Sequence, residues 1–157
     1  MIARDLIEEI SKISQKRNAL LPVLHLVQEK LGYIPKEYIK EIANMLNLTE
    51  AEVYGVITFY HDFRTEPPGR HIIKVCRAES CIAAGCVQIQ EYLKGKLGID
   101  WGETTPDGFF SLIDIYCFGN CACSPSVMID DKLYGRVGIE DLEKILEELR
   151  VRGVDNG

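Results

Sequence analysis

The sequence predicts an α+β protein in two parts: an N-terminal helical bundle over residues 1–66, then a mixed β-sheet domain with flanking helices over residues 70–152. Three observations carry this. Apolar residues recur at three- and four-residue spacing through the first sixty positions. Glu66-Pro67-Pro68-Gly69 then stops helix and marks a boundary. Beyond it, short β-branched and aromatic runs alternate with helical patterns. A length of 157 residues suits one compact domain or two small ones.

Ile2, Leu6, Ile10 and Ile13 form one face of a first helix. Leu20, Leu24, Val27 and Leu31 form a second, with Pro22 in its first turn and Gly32 as the residue just past its end. Ile39, Ile42 and Leu46 mark a third, entered after Pro35. Thr49-Glu50-Ala51-Glu52 is a capping box, and Val53, Val56, Ile57 and Tyr60 are the expected buried face of a fourth. Short connections make these helices a bundle. In the second part, His71 to Val75 reads as a strand. Ile82, Cys86, Ile89, Leu93 and Leu97 read as one helix ending at Gly98, and Phe109 to Tyr116 as a longer strand. Ser126–Ile129 and Leu133–Val137 flank an Asp130-Asp131-Lys132 hairpin turn, and Ile139, Leu142, Ile145, Leu146 and Leu149 make a closing amphipathic helix. Strand, helix, strand, hairpin and helix describe a small mixed sheet covered by helices.

At 46% apolar and 27% charged residues the composition is that of a globular chain, which excludes disorder, collagen-like structure and low-complexity polymers. No apolar run approaches the ~18–20 residues that cross a bilayer, so no membrane insertion is expected. The opening MIARDLIEEISK lacks a basic n-region and an apolar h-region, so no signal peptide is read and a reducing, cytoplasmic location is expected. A net charge of −6 and a pI near 5.1 argue against a nucleic-acid or anionic-membrane binder. Residues 1–70 hold 9 Lys/Arg and 10 Asp/Glu, residues 71–157 hold 9 and 14, and all six cysteines lie in that more acidic half.

In a reducing compartment six cysteines point to metal or redox chemistry before disulfides. Cys76 and Cys81 follow the first strand; Cys117, Cys121 and Cys123 follow the second. Strand ends of α/β folds are where ligands sit, and the two loops can converge at one edge. The spacing is C-x4-C, then C-x3-C-x-C. Thiolates suit zinc or iron–sulfur iron. Structural zinc prefers paired C-x2–4-C knuckles, whereas a two-iron group needs four thiolates, two on each iron, and accepts wider loops. The spacing favours the two-iron group; zinc and a dithiol stay open as alternatives, as does the choice between Cys121 and Cys123 for a fourth ligand. Cys86, on an apolar helix face with Ile82 and Ile89, reads as a core cysteine. His25, His61 and His71 are not placed beside cysteines, against a Rieske-type site.

Two other functions are weaker. Residues 39–55 have the outline of a helix-turn-helix, yet positions 50–60 hold two glutamates and no basic side chain to read bases or phosphates. A thioredoxin-type oxidoreductase needs C-x-x-C at a helix start, which neither motif supplies. No GxGxxG or Walker sequence is present, so a nucleotide site within this chain is not expected.

Cys76-x4-Cys81 after one strand and Cys117-Phe118-Gly119-Asn120-Cys121-Ala122-Cys123-Ser124-Pro125 after another resemble the thioredoxin-like [2Fe–2S] ferredoxins, which include the 24-kDa (E) subunit of NADH:quinone oxidoreductase. Gly32-Tyr33-Ile34-Pro35 and Thr58-Phe59-Tyr60 with Phe63 resemble that family's helical N-terminal part. Phe59-Tyr60-His61-Asp62-Phe63-Arg64, Gly69-Arg70-His71 and Cys76-Arg77-Ala78-Glu79 are closer still to the gamma subunit of soluble NAD-dependent formate dehydrogenases. The resemblance implies a thioredoxin-like sheet domain. It also implies one [2Fe–2S] cluster on Cys76, Cys81, Cys117 and Cys121, since the family's C-L-G-x-C-x-x-x-P pattern puts its last two ligands there and leaves Cys123 outside. Phe118 replaces the usual Leu and Ala122 the usual Gly, both keeping apolar or small character. The implied role is electron transfer within an NAD(H)-linked oxidoreductase. The implied partners are a flavoprotein subunit carrying FMN and the NAD(H) site, and further iron–sulfur subunits. The alternative carried beside it is a zinc-stabilised structural subunit without redox role.

Overall fold

The computed structural model describes residues 4–15 and 18–154, with side chains described as far as Val151. The chain divides into two compact units that meet at the Pro68–Gly69 bond.

The first unit holds α1 (Arg4–Ser14), α2 (Leu20–Leu31), α3 (Lys36–Leu46) and α4 (Glu50–Phe59). Their apolar stripes close on a core of Ile10, Val23, Leu24, Val27, Ile34, Ile42 and Val53, all fully buried. Ile2, expected on the first helix, lies outside the described residues. Gly32 ends α2 in the left-handed conformation (φ 83°), its N–H donating to Gln28 O at 2.7 Å. At the start of α4 the capping box is formed: Glu52 N–H donates to Thr49 Oγ1, and Thr49 N–H to Glu52 Oε2 at 2.8 Å. The Thr49 N–H, and then the Thr49 hydroxyl at 2.8 Å, donate to the Glu52 carboxylate and hold it below its usual range. Tyr60 departs from expectation. It caps α4 in an extended conformation and is exposed, while Phe63 takes the buried place in the helical core. The Gln28 side-chain amide fixes that return, donating to Asp62 O at 2.7 Å and accepting from Arg64 N–H at 2.9 Å.

The second unit holds β1 (His71–Cys76), α5 (Glu79–Ala83), α6 (Cys86–Leu97), β2 (Phe110–Ile115), β3 (Ser126–Ile129), β4 (Lys132–Gly135) and α7 (Ile139–Val154). One four-stranded sheet runs in the order β2-β1-β3-β4. β1 pairs parallel with β2 and antiparallel with β3, and β3 and β4 form the hairpin. Ile73, Val75, Phe110, Leu112, Val127 and Ile129 from the sheet pack with Ile89, Leu93, Leu142 and Leu146 from α6 and α7. Two expectations are corrected. The helix read through Ile82 to Leu97 is two helices, broken where Gly85 takes φ 89° after a short turn. The periodic apolar spacing continues across the break, but the backbone does not. The last strand is Lys132–Gly135 rather than Leu133–Val137, because Arg136 adopts a positive φ of 53° and ends it. Among the described residues no helix is long and apolar enough to cross a membrane.

Candidate metal centre

Parallel pairing builds the site. Cys76 is the last residue of β1 and sits opposite Ile115, the last residue of β2, so both following loops leave the same sheet edge. Arg77 N–H donates to Ile115 O at 2.7 Å, and the Arg77 guanidinium meets Asp114 at 2.7 Å, tying those ends together. The first loop turns into α5 and carries Cys81; the second runs through Cys117 to a 3-10 turn at Cys121–Cys123.

The sulfurs come in two pairs. Cys76 and Cys81 are hydrogen-bonded to each other and buried, each 2% exposed. Cys117 Sγ and Cys121 Sγ stand 3.8 Å apart, both exposed. Ser80, next to Cys81, donates its Oγ–H to Cys121 O at 3.2 Å, and Cys81 Sγ lies 3.5 Å from Ser124 Oγ, so the second loop closes on the first pair. Among the described residues no three His, Cys, Asp or Glu side chains converge on a single-ion position.

Polar groups from both loops point at the sulfurs. Gly119, at φ 76°, donates its N–H to Cys117 Sγ at 3.1 Å, and Ala78 and Phe118 N–H groups donate to Cys76. Burial pushes the Cys76 thiol up, with the Ala78 bond opposing. Burial presses the same way on Cys81, but its hydrogen bonding with Ser124, Cys76 and Ser126 brings it below the ordinary value. Cys121 is raised, first by the hydrogen bond it shares with Cys117 and then by that neighbour's charge. Ser80 Oγ donates to Cys121 O at 3.2 Å and pairs with Ser124 Oγ at 2.9 Å, holding α5 to the second loop.

The remaining candidates fall elsewhere. Cys86 is fully buried beside Cys76 and Cys81, its sulfur accepting from Gln90 Nε2 at 3.1 Å, and burial raises its thiol. Cys123 turns its Cβ toward Gly135 of β4, while its carbonyl accepts from Arg136 N–H at 2.7 Å. His71 pairs with Asp130 at 2.9 Å, and the His25 ring packs on Phe63. Sequence reasoning missed Ser80, Ser124, Ser126 and Gly135. Only the glycine left a signal, since glycine inside a strand marks a close backbone approach.

Four thiols in two adjoining pairs, with backbone N–H groups directed at them, fit the donor set of a two-iron, two-sulfide group. Fold and site together define a thioredoxin-like iron–sulfur protein. The chain belongs to the thioredoxin-like [2Fe–2S] ferredoxin family, which it matches over residues 6–150. It is 38% identical over 145 residues to the NADP-reducing hydrogenase subunit HndA of Solidesulfovibrio fructosivorans, covering 92% of this chain and 85% of that one. It is 37% identical over 139 residues to the (E) subunit of the NADH-quinone oxidoreductase of Pseudomonas aeruginosa, covering 88% and 84%. The crystal structure of an air-oxidised NAD+-reducing [NiFe]-hydrogenase shares the fold, with a TM-score of 0.71 at 22% identity over 85% of this chain. This chain spans 23% of that hydrogenase chain.

Proposed function

We propose that this protein is the electron-transfer subunit of a cytoplasmic NAD(H)-linked flavoprotein oxidoreductase complex, with Cys76, Cys81, Cys117 and Cys121 holding one [2Fe–2S] group. The observation that carries the reading is the convergence of two cysteine pairs at one sheet edge through the Cys76–Ile115 register. Residues 70–152 carry the group, and residues 1–66 form the helical part. When bound, such a group supplies one-electron redox chemistry. The chain's own residues supply the rest. The Ala78, Phe118 and Gly119 N–H groups stabilise negative charge on the sulfurs, and Cys76 and Cys81 are themselves shielded from water. FMN, NAD(H) and further iron–sulfur centres belong to partner subunits, which agrees with relatives named as subunits of NADH-quinone oxidoreductase and NADP-reducing hydrogenase. Residues 59–64, 69–71 and 76–79 favour a formate dehydrogenase as the parent complex. Alone, the chain has little or no turnover with NADH.

The test is iron, acid-labile sulfide and EPR on anaerobically purified, dithionite-reduced protein. About two irons per chain with a spin-half signal supports the proposal. Stoichiometric zinc without iron, after reconstitution has been attempted, refutes it and makes the cysteines structural.

A further inference from the structure

Alternation along β1 and β2 puts Ile73, Val75, Phe110 and Leu112 on the covered face of the sheet, packed with Ile89 and Leu93 of α6. Asp114, the register partner of Val75, continues that row, and Arg77 follows two residues after Val75. The row thus ends in a charged pair where its pattern asks for apolar side chains. Arg77 Nη1 donates to Asp114 Oδ2 at 2.7 Å, the two side chains being 36% and 29% exposed. The guanidinium also lies 5.5 Å from the centre of the Trp101 ring, and Lys94 Nζ lies 4.6 Å from the same ring. Lys94 in turn pairs with Asp100, so those two charges neutralise each other.

Stability does not account for the Arg77–Asp114 pair. Ion pairs near the surface contribute little, and withdrawing charge from water costs more than an apolar pair of similar volume would. Its position offers another reason. Arg77 directly follows Cys76, and Asp114 directly precedes Ile115, the residue opposite Cys76. Residues 75–93 and 115–131 contain all six cysteines, and across both segments Arg77 is the one Lys or Arg. The Ala78, Phe118 and Gly119 N–H groups directed at the sulfurs are neutral. Glu79, two residues on, is exposed and screened by water. Arg77 is therefore the fixed positive charge of these segments, held by a carboxylate and an aromatic face. Taking up an electron adds negative charge to sulfurs that are already anionic, so a nearby cation favours the reduced state and a nearby anion opposes it. At an effective dielectric near 20, a unit charge changes such an equilibrium about tenfold from roughly 12 Å.

We propose that the Arg77–Asp114 pair sets the reduction potential of the electron carrier on Cys76, Cys81, Cys117 and Cys121, with Arg77 raising it and Asp114 lowering it. This rests on the electron-transfer reading above and names the residues that tune it. Both act through their field and not as ligands.

The experiment is an EPR-monitored redox titration of the anaerobically purified full chain, with iron and sulfide measured on the same samples. Arg77→Gln should make reduction about three- to tenfold less favourable, tenfold being about 59 mV for one electron. Asp114→Asn should make it more favourable by a similar factor. Arg77→Lys, which keeps the charge, should stay within about twofold of the native chain. The double variant Arg77→Gln/Asp114→Asn should return to the same range, because its two shifts oppose. Lys96→Gln should not move the potential: it removes a cation ten residues beyond Cys86 on α6, which is ~15 Å of helix rise and outside the screening length of ~8–10 Å. A pair that only ties two strand ends together predicts a different pattern. Arg77→Gln and Asp114→Asn break the same bond, so they would shift the potential in one direction or shed iron together. Either result, no shift in either variant, or an equal shift with Lys96→Gln overturns the inference. If Arg77→Gln alone sheds iron, Arg77→Lys and Asp114→Asn decide: Lys at the native value with Asn above it supports the inference, and any other combination overturns it. A native chain without iron or a spin-half signal sinks the electron-transfer reading and the inference with it. An iron-loaded native chain whose variants leave the potential unmoved sinks the inference alone.

Discussion

Gly135→Ala tests whether the edge strand positions the cysteine loop. A Cβ built on Gly135 stands 2.7 Å from Cys123 Cβ, 2.8 Å from Asn120 Nδ2 and 2.9 Å from Cys123 O. Carbon atoms prefer ~3.5–4.0 Å, so the loop has to retreat by roughly 1 Å. Overpacking of this kind costs about 1–3 kcal/mol. The retreat also pulls on two hydrogen bonds, Arg136 N–H to Cys123 O at 2.7 Å and Asn120 Nδ2 to Ser126 Oγ at 3.1 Å. Losing one adds about 1 kcal/mol, giving a total of about 2–4 kcal/mol. For a unit of this size each kcal/mol lowers the midpoint by ~4–8 °C, so a fall of roughly 10 °C or more is expected. Trp101 is the chain's one tryptophan and lies in this unit, half-buried with Lys94 over its ring at 4.6 Å. Its fluorescence therefore reports this unit's unfolding without the helical unit, at a fixed scan rate. Loss of visible absorbance to an iron chelator, measured alongside, should be faster in the variant because Cys121 rides on the displaced loop. A Trp101 midpoint within about 0.5 kcal/mol of the native protein would refute the packing argument. A lowered midpoint with unchanged chelation would refute the link from strand to cysteine loop.

Serine replacement should divide the cysteines: Cys76, Cys81, Cys117 and Cys121 variants lose most bound iron, whereas Cys86→Ala and Cys123→Ser retain it, as metal analysis would show. Gly95, inside α6 with nothing within 4 Å of a built Cβ, should accept Ala with a gain of about 0.5–1 kcal/mol at the Trp101 transition. Thr49→Ala should cost the helical unit about 1 kcal/mol, seen by circular dichroism. The Glu52 carboxyl is lowered in the fold, so its contribution is present above the unfolded value and lost as pH falls through the folded one; Glu52→Gln should flatten that acid limb.

What was legible in the sequence was local. Gly32 and the Thr49–Glu52 box act within one turn of chain, and the structure forms both as their spacing demands. Strand identities were legible for the same reason, from β-branched runs. The Gly85 break was not, because Ile82, Cys86 and Ile89 keep helical spacing across it and only the backbone angle reveals the interruption. Tyr60 was misplaced because a residue four positions after Val56 shares its face only if the helix continues, and α4 ends at Phe59. Spacing alone left Cys121 and Cys123 open as a fourth ligand, and the family resemblance favoured Cys121. Within one 3-10 turn, Cys121 comes to 3.8 Å from Cys117 while the Cβ of Cys123 faces Gly135, on the edge strand of the hairpin. The serine supports were invisible because Ser80 and Ser124 lie 44 residues apart and meet only once both loops leave the same sheet edge.

That dependence on the sheet couples stability to the site. β1 is held in register from both sides, Cys76 against Ile115 and Ile73 against Ile129. Because strand side chains alternate between faces, a slip of one residue would carry Cys76 to the face now occupied by its neighbour Val75, and the two cysteine pairs would no longer adjoin. Core packing of Ile73, Val75 and Leu112 thus fixes where the sulfurs stand as well as how stable the unit is. The helical unit contributes no cysteine. Thr49→Ala should therefore lower that unit's transition while leaving iron retention where it was, whereas Gly135→Ala lowers both stability and retention. Equal iron loss in the two variants would show that the centre depends on the whole chain rather than on the register of one sheet.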